Sequence, residues 1–414
     1  MKLLFVSSLY PIVSKENLAL HCRCGATLQN QVDAFQWAML EGFVENRVDF
    51  EVVSFPALGT YPIHFDKCFV SASDIVYGGK YYGSSLKYSA LVVYKEWDIQ
   101  RRLKKYVEGW IVKSLVPSKE PLVVLVYTSA AMLVEPLAQL KRIWPNLFIC
   151  CVITDLIDDA MNFNSNRSLL KRIQIARERK RQKNLYKNID FFMLLTKAME
   201  EKIPEAIKRN IIIEGIYGKH ELAEIKDLKE EGKLKVVLYG GTLQEFSGVK
   251  DLVNAFMLLQ DEEYRLVICG SGFCESYVKK CAQKDNRIEY RGVISREAFL
   301  LLQKKATLLV NPRKPTEDIT RFSFPSKTIE YLSSGTPMLG YKLEGIPTEY
   351  YNYFYTIDDL SIKGLVYKLQ EVLALSTEER HLMAENARTF IYQNKTAEHQ
   401  MGKLLNFLKS KLGL

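Results

Sequence analysis

Short apolar runs alternate with segments of helical periodicity along most of the chain. Lys2–Ser8 (KLLFVSS) reads as a strand, Thr27–Glu41 as a helix and Phe50–Phe55 (FEVVSF) as a second strand. Leu122–Tyr127 (LVVLVY), Leu147–Ile153 (LFICCVI) and Phe191–Leu195 (FFMLL) follow as strands, with helical segments between them. Runs that are apolar on both faces belong to parallel sheets covered by helices. The alternation therefore predicts a doubly wound α/β domain.

The pattern stops at a charged stretch, Lys219–Lys233, that contains no strand, and then starts again. Strands are expected at KVVLYGG, RLVICGSG, RIEYRG, TLLVNP and PMLGY. Helices are expected near Val249–Leu259, Glu275–Gln283 and Arg296–Lys304, and again from Thr377 to Leu414. The predicted organisation is a domain over 1–217, a linker over 218–233, a second domain over 234–390 and a terminal helix over 391–414. The fold class is α/β, with two Rossmann-like doubly wound domains facing across a cleft. Such clefts, at the carboxyl ends of the strands, are where ligands bind.

Chemistry concentrates in the second domain. Gly240-Gly241-Thr242, Gly270-Ser271-Gly272 and Gly292 each follow a strand. Glycines there allow tight turns and close approach of a ligand to the backbone. The stretch RFSFPSKTIEYLSSG (Arg321–Gly335) predicts a short helix from about Pro325 to Ser334, with Pro325 in its first turn and Gly335 as its C-terminal cap. Ser326 and Lys327 would place a hydroxyl and a cation beside free amides, an arrangement suited to an anion. Taken alone, the stretch also fits a capped surface helix with a solvated Glu330.

Composition narrows the class. The chain has 414 residues and 48% apolar content, ample for two cores. The longest uncharged run, Pro121–Val134, is well short of the roughly 20 residues that span a bilayer. The N-terminal apolar run fits a first strand better than a signal peptide, which gives an expected cytoplasmic location. Eight cysteines in a chain of this length do not make a disulfide scaffold, and Cys150, Cys151 and Cys269 read as buried hydrophobes. His21, Cys22 and Cys24 lack a second ligand cluster, so no metal site is expected. The net charge of +9 is concentrated in Ser168–Asn188. That segment has two open readings: a solvated helix face, or a face meeting anionic lipid, which would make the protein membrane-associated. It lacks a Trp/Phe face of its own. A nucleic-acid module is absent from the sequence.

VVLYGGTL, VICGSGFCESYVKK, IEYRGVISREAFLLLQKKATLLVNPR and FSFPSKTIEYLSSGTPMLG together resemble the C-terminal domain of GT-B glycosyltransferases. The likeness is greatest to the retaining family-four enzymes of bacterial surface-polysaccharide pathways. The first domain resembles the same group through VITDLIDD and IDFFMLLTKAMEEKIP. The resemblance implies a nucleotide-diphosphate sugar donor, UDP- or GDP-linked, with no cofactor and no required metal. The acceptor would be a hydroxyl of a glycan or lipid-linked glycan, in capsule, exopolysaccharide or O-antigen synthesis. It also implies that the terminal helix returns to the first domain.

Residue by residue, Glu330 matches the carboxylate that binds the ribose hydroxyls. Phe324, Pro325, Ser326 and Lys327 match the diphosphate loop, with Lys327 neutralising the leaving group. Val293 falls where the backbone meets the base. Gly241, Thr242, Gly270 and Gly272 line the phosphates and sugar. Asp155, after the strand LFICCVIT, would orient the acceptor hydroxyl or else cap a helix. Gly25 lies where the acceptor loop is expected.

The sequence departs from the family pattern in two places. Phe322 stands where the first of two glutamates separated by seven residues is usual, and Glu317 or Asp318 is offered in its place at a different spacing. Thr242 and Ser247 occupy positions where Arg and Lys are common, leaving Arg313, Lys314, Arg321 and Lys327 as nearby cations. Two alternatives follow: a non-catalytic partner subunit, or a nucleotide-sugar epimerase of similar fold.

Overall fold

The computed structural model describes residues 1–115, 120–156, 169–218, 234–316 and 319–414. The chain divides into two compact units, Met1–Gly218 with Ala397–Leu414, and Lys219–Thr396. The expected linker over 218–233 and the pair Glu317 and Asp318 fall almost wholly outside the described residues.

In the first unit the strands are β1 (Lys2–Ser7), β2 (Phe50–Ser54), β3 (Phe69–Val70), β4 (Ser73–Tyr77), β5 (Lys80–Ser85), β6 (Tyr88–Ser89), β7 (Leu122–Tyr127), β8 (Leu147–Ile153), β9 (Phe191–Leu194) and β10 (Asn210–Ile212). Eight of them form one sheet in the order β10-β9-β8-β7-β1-β2-β5-β4, while β3 and β6 pair separately. Every pairing in the large sheet is parallel except β4 with β5, a hairpin at the edge. The central strands β7 and β8 are almost wholly buried, as their unbroken apolar runs require.

The helix Ala397–Leu412 belongs to this unit. Met401, Leu404, Leu405 and Leu408 pack in one core with Trp37, Leu40 and Phe43 of the helix Asn30–Glu45. Gly42 permits the crossing: a Cβ there would lie 2.2 Å from the Ala397 carbonyl oxygen. Asn46 Nδ2 donates to the Glu398 carbonyl and Gln400 Nε2 to that of Gly215, both at 2.8 Å.

The second unit contains β11 (Lys235–Gly240), β12 (Tyr264–Cys269), β13 (Ile288–Gly292), β14 (Leu308–Asn311), β15 (Met338–Tyr341) and β16 (Tyr355–Ile357). They form an all-parallel sheet in the order β13-β12-β11-β14-β15-β16. This is the doubly wound order, in which the chain starts at the centre, winds outward to one edge and returns to build the other. Both units are thus Rossmann-like, as the alternation of strands and helices predicts. Among the described residues, no helix is long and apolar enough to cross a membrane.

Candidate functional site

The winding direction of the second sheet reverses between β11 and β14, leaving a crevice past their carboxyl ends. Three glycine turns meet there. A Cβ on Gly270 would lie 1.8 Å from the Gly241 carbonyl oxygen, and one on Gly272 would lie 2.8 Å from that of Leu243. Gly270 donates its N–H to the Gly292 carbonyl at 2.7 Å, linking the ends of β12 and β13. Bulkier residues would push these strand ends apart.

The helix Lys327–Ser333 faces the first of these turns. The chain enters it through a turn in which Thr328 N–H donates to the Pro325 carbonyl at 2.8 Å. Phe324, buried against the Tyr350 ring at 5.5 Å, anchors that entry, and Ser326 is left exposed. Gly335, with φ +79°, follows the last turn, as its expected capping role requires. The helix is held to β11 by Tyr331, whose hydroxyl accepts from the Gly240 N–H at 3.1 Å and donates to the Gly240 carbonyl at 3.3 Å.

Lys327 and Glu330, three residues apart, share one face of this helix. A Cβ on Gly241 would sit 2.1 Å from Lys327 Nζ, so the ammonium lies against the glycine backbone. It donates to Tyr239 Oη at 3.3 Å and stands 4.3 Å from that ring's centroid. Glu330, part-buried, accepts from Gln303 Nε2 at 2.5 Å and has Arg296 Nη1 at 3.8 Å. Nothing local in the sequence marks Gln303, Tyr239, Tyr331 and Arg296, which meet their partners from 27 to 91 positions away.

The other nearby cations have partners of their own. Lys314 pairs with Asp251 at 2.5 Å and Arg321 with Glu344 at 2.9 Å. Arg313 lies 5.6 Å from the centroid of Phe246 and 3.4 Å from Ser323 Oγ. Phe322 is buried, and no carboxylate takes its place among the described residues of that turn. Thr242 is exposed, and its carbonyl accepts from Tyr239 Oη at 2.8 Å. Val293 is 74% exposed, and Phe273, beside Gly272 in sequence, is 71% exposed. Both are large apolar side chains left open at strand ends.

In the first unit, Asp155 follows β8 and accepts from Thr154 Oγ1 at 3.2 Å. Surrounding protein raises its carboxyl above the ordinary value, while the Thr154 bond opposes the shift. Residues 157–168, which would decide its helix-capping role, lie outside the described residues. Gly25 occupies an exposed turn with φ +74°. His21 Nδ1 stands 2.8 Å from Asp66, which Arg23 also engages. Among the described residues, no three His, Cys, Asp or Glu side chains gather as a metal site.

Tyr331→Phe is expected to cost about 1–3 kcal/mol, because the buried Gly240 amide loses its acceptor. Burial holds the Tyr331 phenol well above its usual value. A raised folded pKa contributes stability below the unfolded value of about 10, and that contribution is lost as pH rises through the folded value. Urea midpoints for the variant and wild type at neutral and alkaline pH check both points. A loss under about 0.3 kcal/mol, or identical alkaline slopes, would remove Tyr331 from this role.

Residues 221–390 match the family model described as Glycosyl transferases group 1. No curated protein matches the chain by sequence. Sucrose-phosphate synthase from Thermosynechococcus elongatus superposes with a TM-score of 0.63 at 14% identity, covering 100% of both chains. The lipopolysaccharide outer core galactosyltransferase WaaB aligns at a TM-score of 0.58 and 15% identity, over 99% of this chain and 100% of that one. The Anabaena HepE protein in complex with UDP does so at 0.57 and 11%, with the same coverage. The chain therefore has the GT-B fold, and its residues 221–390 are similar to the glycosyl transferases group 1 family.

Proposed function

We propose that the protein is a glycosyltransferase. It moves a sugar from a UDP- or GDP-linked donor to a hydroxyl of a glycan or lipid-linked glycan, in synthesis of a bacterial surface polysaccharide. The observation that carries this reading is the pairing of Lys327 and Glu330 on one helix face against the Gly241 turn, within the group 1 domain. A carboxylate accepts two ribose hydroxyls at once. An ammonium against a glycine turn meets a diphosphate with free backbone around it. The amides after Phe324 and Pro325, with Ser326, complete the diphosphate loop. Gly270 and Gly272 leave room for the sugar, and Val293 borders the base. Asp155 and Gly25 are assigned to the acceptor side. Transfer proceeds with retention of configuration and without a metal, and the leaving diphosphate is stabilised by fixed donors. The enzyme acts in the cytoplasm beside the membrane.

A second reading, a non-catalytic partner subunit, is favoured by buried Phe322 and by the engagement of Arg313, Lys314 and Arg321 with Phe246, Asp251 and Glu344. Thermal unfolding with UDP, GDP, ADP and CMP separates the two. A nucleotide at about 100 times its dissociation constant adds roughly 2.7 kcal/mol to wild-type stability. Glu330→Ala is expected to abolish that gain. If no nucleotide stabilises the wild type, the donor site is degenerate and the subunit reading replaces the enzyme.

A further inference from the structure

We propose that the first unit carries a docking surface for an anionic lipid bilayer, made of an exposed aromatic and aliphatic pad beside two basic helix faces. The pad is Ile63, Val92, Val93, Tyr94 and Trp97, which are 54%, 62%, 85%, 58% and 56% exposed. It is assembled from two segments of the chain. Tyr61 bridges Leu91 in parallel and donates its N–H to the Ala90 carbonyl at 2.9 Å, so residues 61–63 run beside 91–93. Tyr94 and Lys95 N–H groups then fold back onto the Leu91 carbonyl and start the helix Lys95–Leu115. The Tyr94 and Trp97 rings meet edge to face at 6.2 Å, and the Arg101 guanidinium lies 5.3 Å from the centroid of Trp97.

An apolar cluster this open marks an interaction surface. Trp and Tyr at the boundary of an apolar pad, with a cation over the indole, suit the level of lipid headgroups.

Charge selects the partner. Arg101 and Lys105 continue from Trp97 at four-residue spacing and are exposed. On the helix Leu169–Leu185 and just past its end, Arg177, Lys180, Lys183 and Lys187 are exposed in turn. Arg181 reaches Glu96 of the first helix and Glu135 of the helix Ala131–Ile143, against which both helices pack, and it also pairs with Glu178 at 3.4 Å. Arg102 takes Asp98 at 2.8 Å. Asp98, Glu96, Glu135 and Glu178 are thus engaged by Arg102 and Arg181, while Arg101 and Lys105 on one helix and Arg177, Lys180 and Lys183 on the other stand exposed. Beside Lys105 a groove of about 470 Å³ adds Lys87 and Lys113, the latter 3.9 Å from Glu51, which also lines it. A second copy docked pad to pad would set basic rows against basic rows, whereas anionic lipid complements them. The basic segment of the sequence has no aromatic face of its own, and the fold brings one to it from residues 63 and 92–97.

The surface deepens the lipid-linked acceptor reading, but its test is independent of sugar transfer. The full chain is floated with vesicles of phosphatidylcholine alone, and of phosphatidylcholine with phosphatidylglycerol. Binding is expected only to the second, weakening with salt. It should fall about fivefold for each of Arg177→Gln and Lys180→Gln, and more than about tenfold for the double variant Val93→Ser, Trp97→Ser. All are surface changes, and an unaltered melting curve verifies folding. Absence of wild-type binding, or binding by the pad variant equal to wild type, overturns the proposal. So does a dimer that the pad variant dissolves while wild type ignores vesicles. Nucleotide-induced stabilisation measured on the same variants reports the donor site separately, so failure of one reading leaves the other legible.

Discussion

Lys327→Ala is expected to lower the rate of sugar transfer by about 10²- to 10³-fold, the usual effect of deleting one donor aimed at developing charge. The ammonium is already in place: it lies against Gly241, with one proton on Tyr239 Oη and the ring beneath it. No reorganisation is then needed as the diphosphate leaves. The loss is expected mainly in kcat, because charge on the leaving oxygen grows in the transition state. Lys327→Met tests this with the stem retained. The other nearby cations are engaged by Asp251, Glu344 and the Phe246 ring, so their compensation is expected to be small. Steady-state kinetics with the stabilising nucleotide's sugar decide it: a decrease of less than about threefold would mean that Lys327 does not meet the leaving group.

Gly270→Ala is expected to destabilise the second unit by about 3 kcal/mol and to abolish nucleotide stabilisation with it. Two causes coincide here. Gly270 has φ +126°, and the added methyl would fall 1.8 Å from the Gly241 carbonyl oxygen. That carbonyl belongs to the turn on which Lys327 rests, so relief of the clash displaces the ammonium's seat. Gly335 provides the comparison. Its φ is +79°, but the nearest atom to an added Cβ is 3.6 Å away, on Arg388, so Gly335→Ala is expected to cost only about 1 kcal/mol. Chemical denaturation of both variants checks the pair. Equal losses would show that backbone conformation alone, not the close approach of two turns, sets the cost.

The strands that the sequence marks most clearly are those buried on both faces. Leu122–Tyr127 and Leu147–Ile153 match to the residue, since such runs have no polar position to blur their ends. The β4–β5 hairpin is not legible in the sequence, because it closes the sheet at its half-exposed edge and its strands mix Tyr, Lys, Ser and Gly with few apolar residues. The helix Ile12–Leu20 was missed for a related reason: Ile12, Val13 and Leu20 are exposed, so its apolar residues do not mark a buried side. At the candidate site, glycine turns and a Pro-Ser-Lys helix entry are local features and can be read in order. Which cations gather cannot be read that way. Arg313, Lys314, Arg321 and Lys327 are close in sequence, yet their side chains find different partners. Gln303 and Tyr239 reach the site only through long-range packing.

The first unit is interrupted: the chain leaves it at Gly218 and re-enters at Ala397. Met401, Leu404, Leu405 and Leu408 are four buried side chains worth roughly 2 kcal/mol each, about 8 kcal/mol together. That is comparable with the whole net stability of an ordinary domain, about 5–15 kcal/mol. During synthesis, Trp37, Leu40 and Phe43 therefore emerge with their covering helix still unmade. Residues 219–396, 178 in all, must be added first, a delay of roughly 10–35 s at typical elongation rates. The unit begun first is the one completed last, and through that interval its bare helix face is a natural client for chaperones.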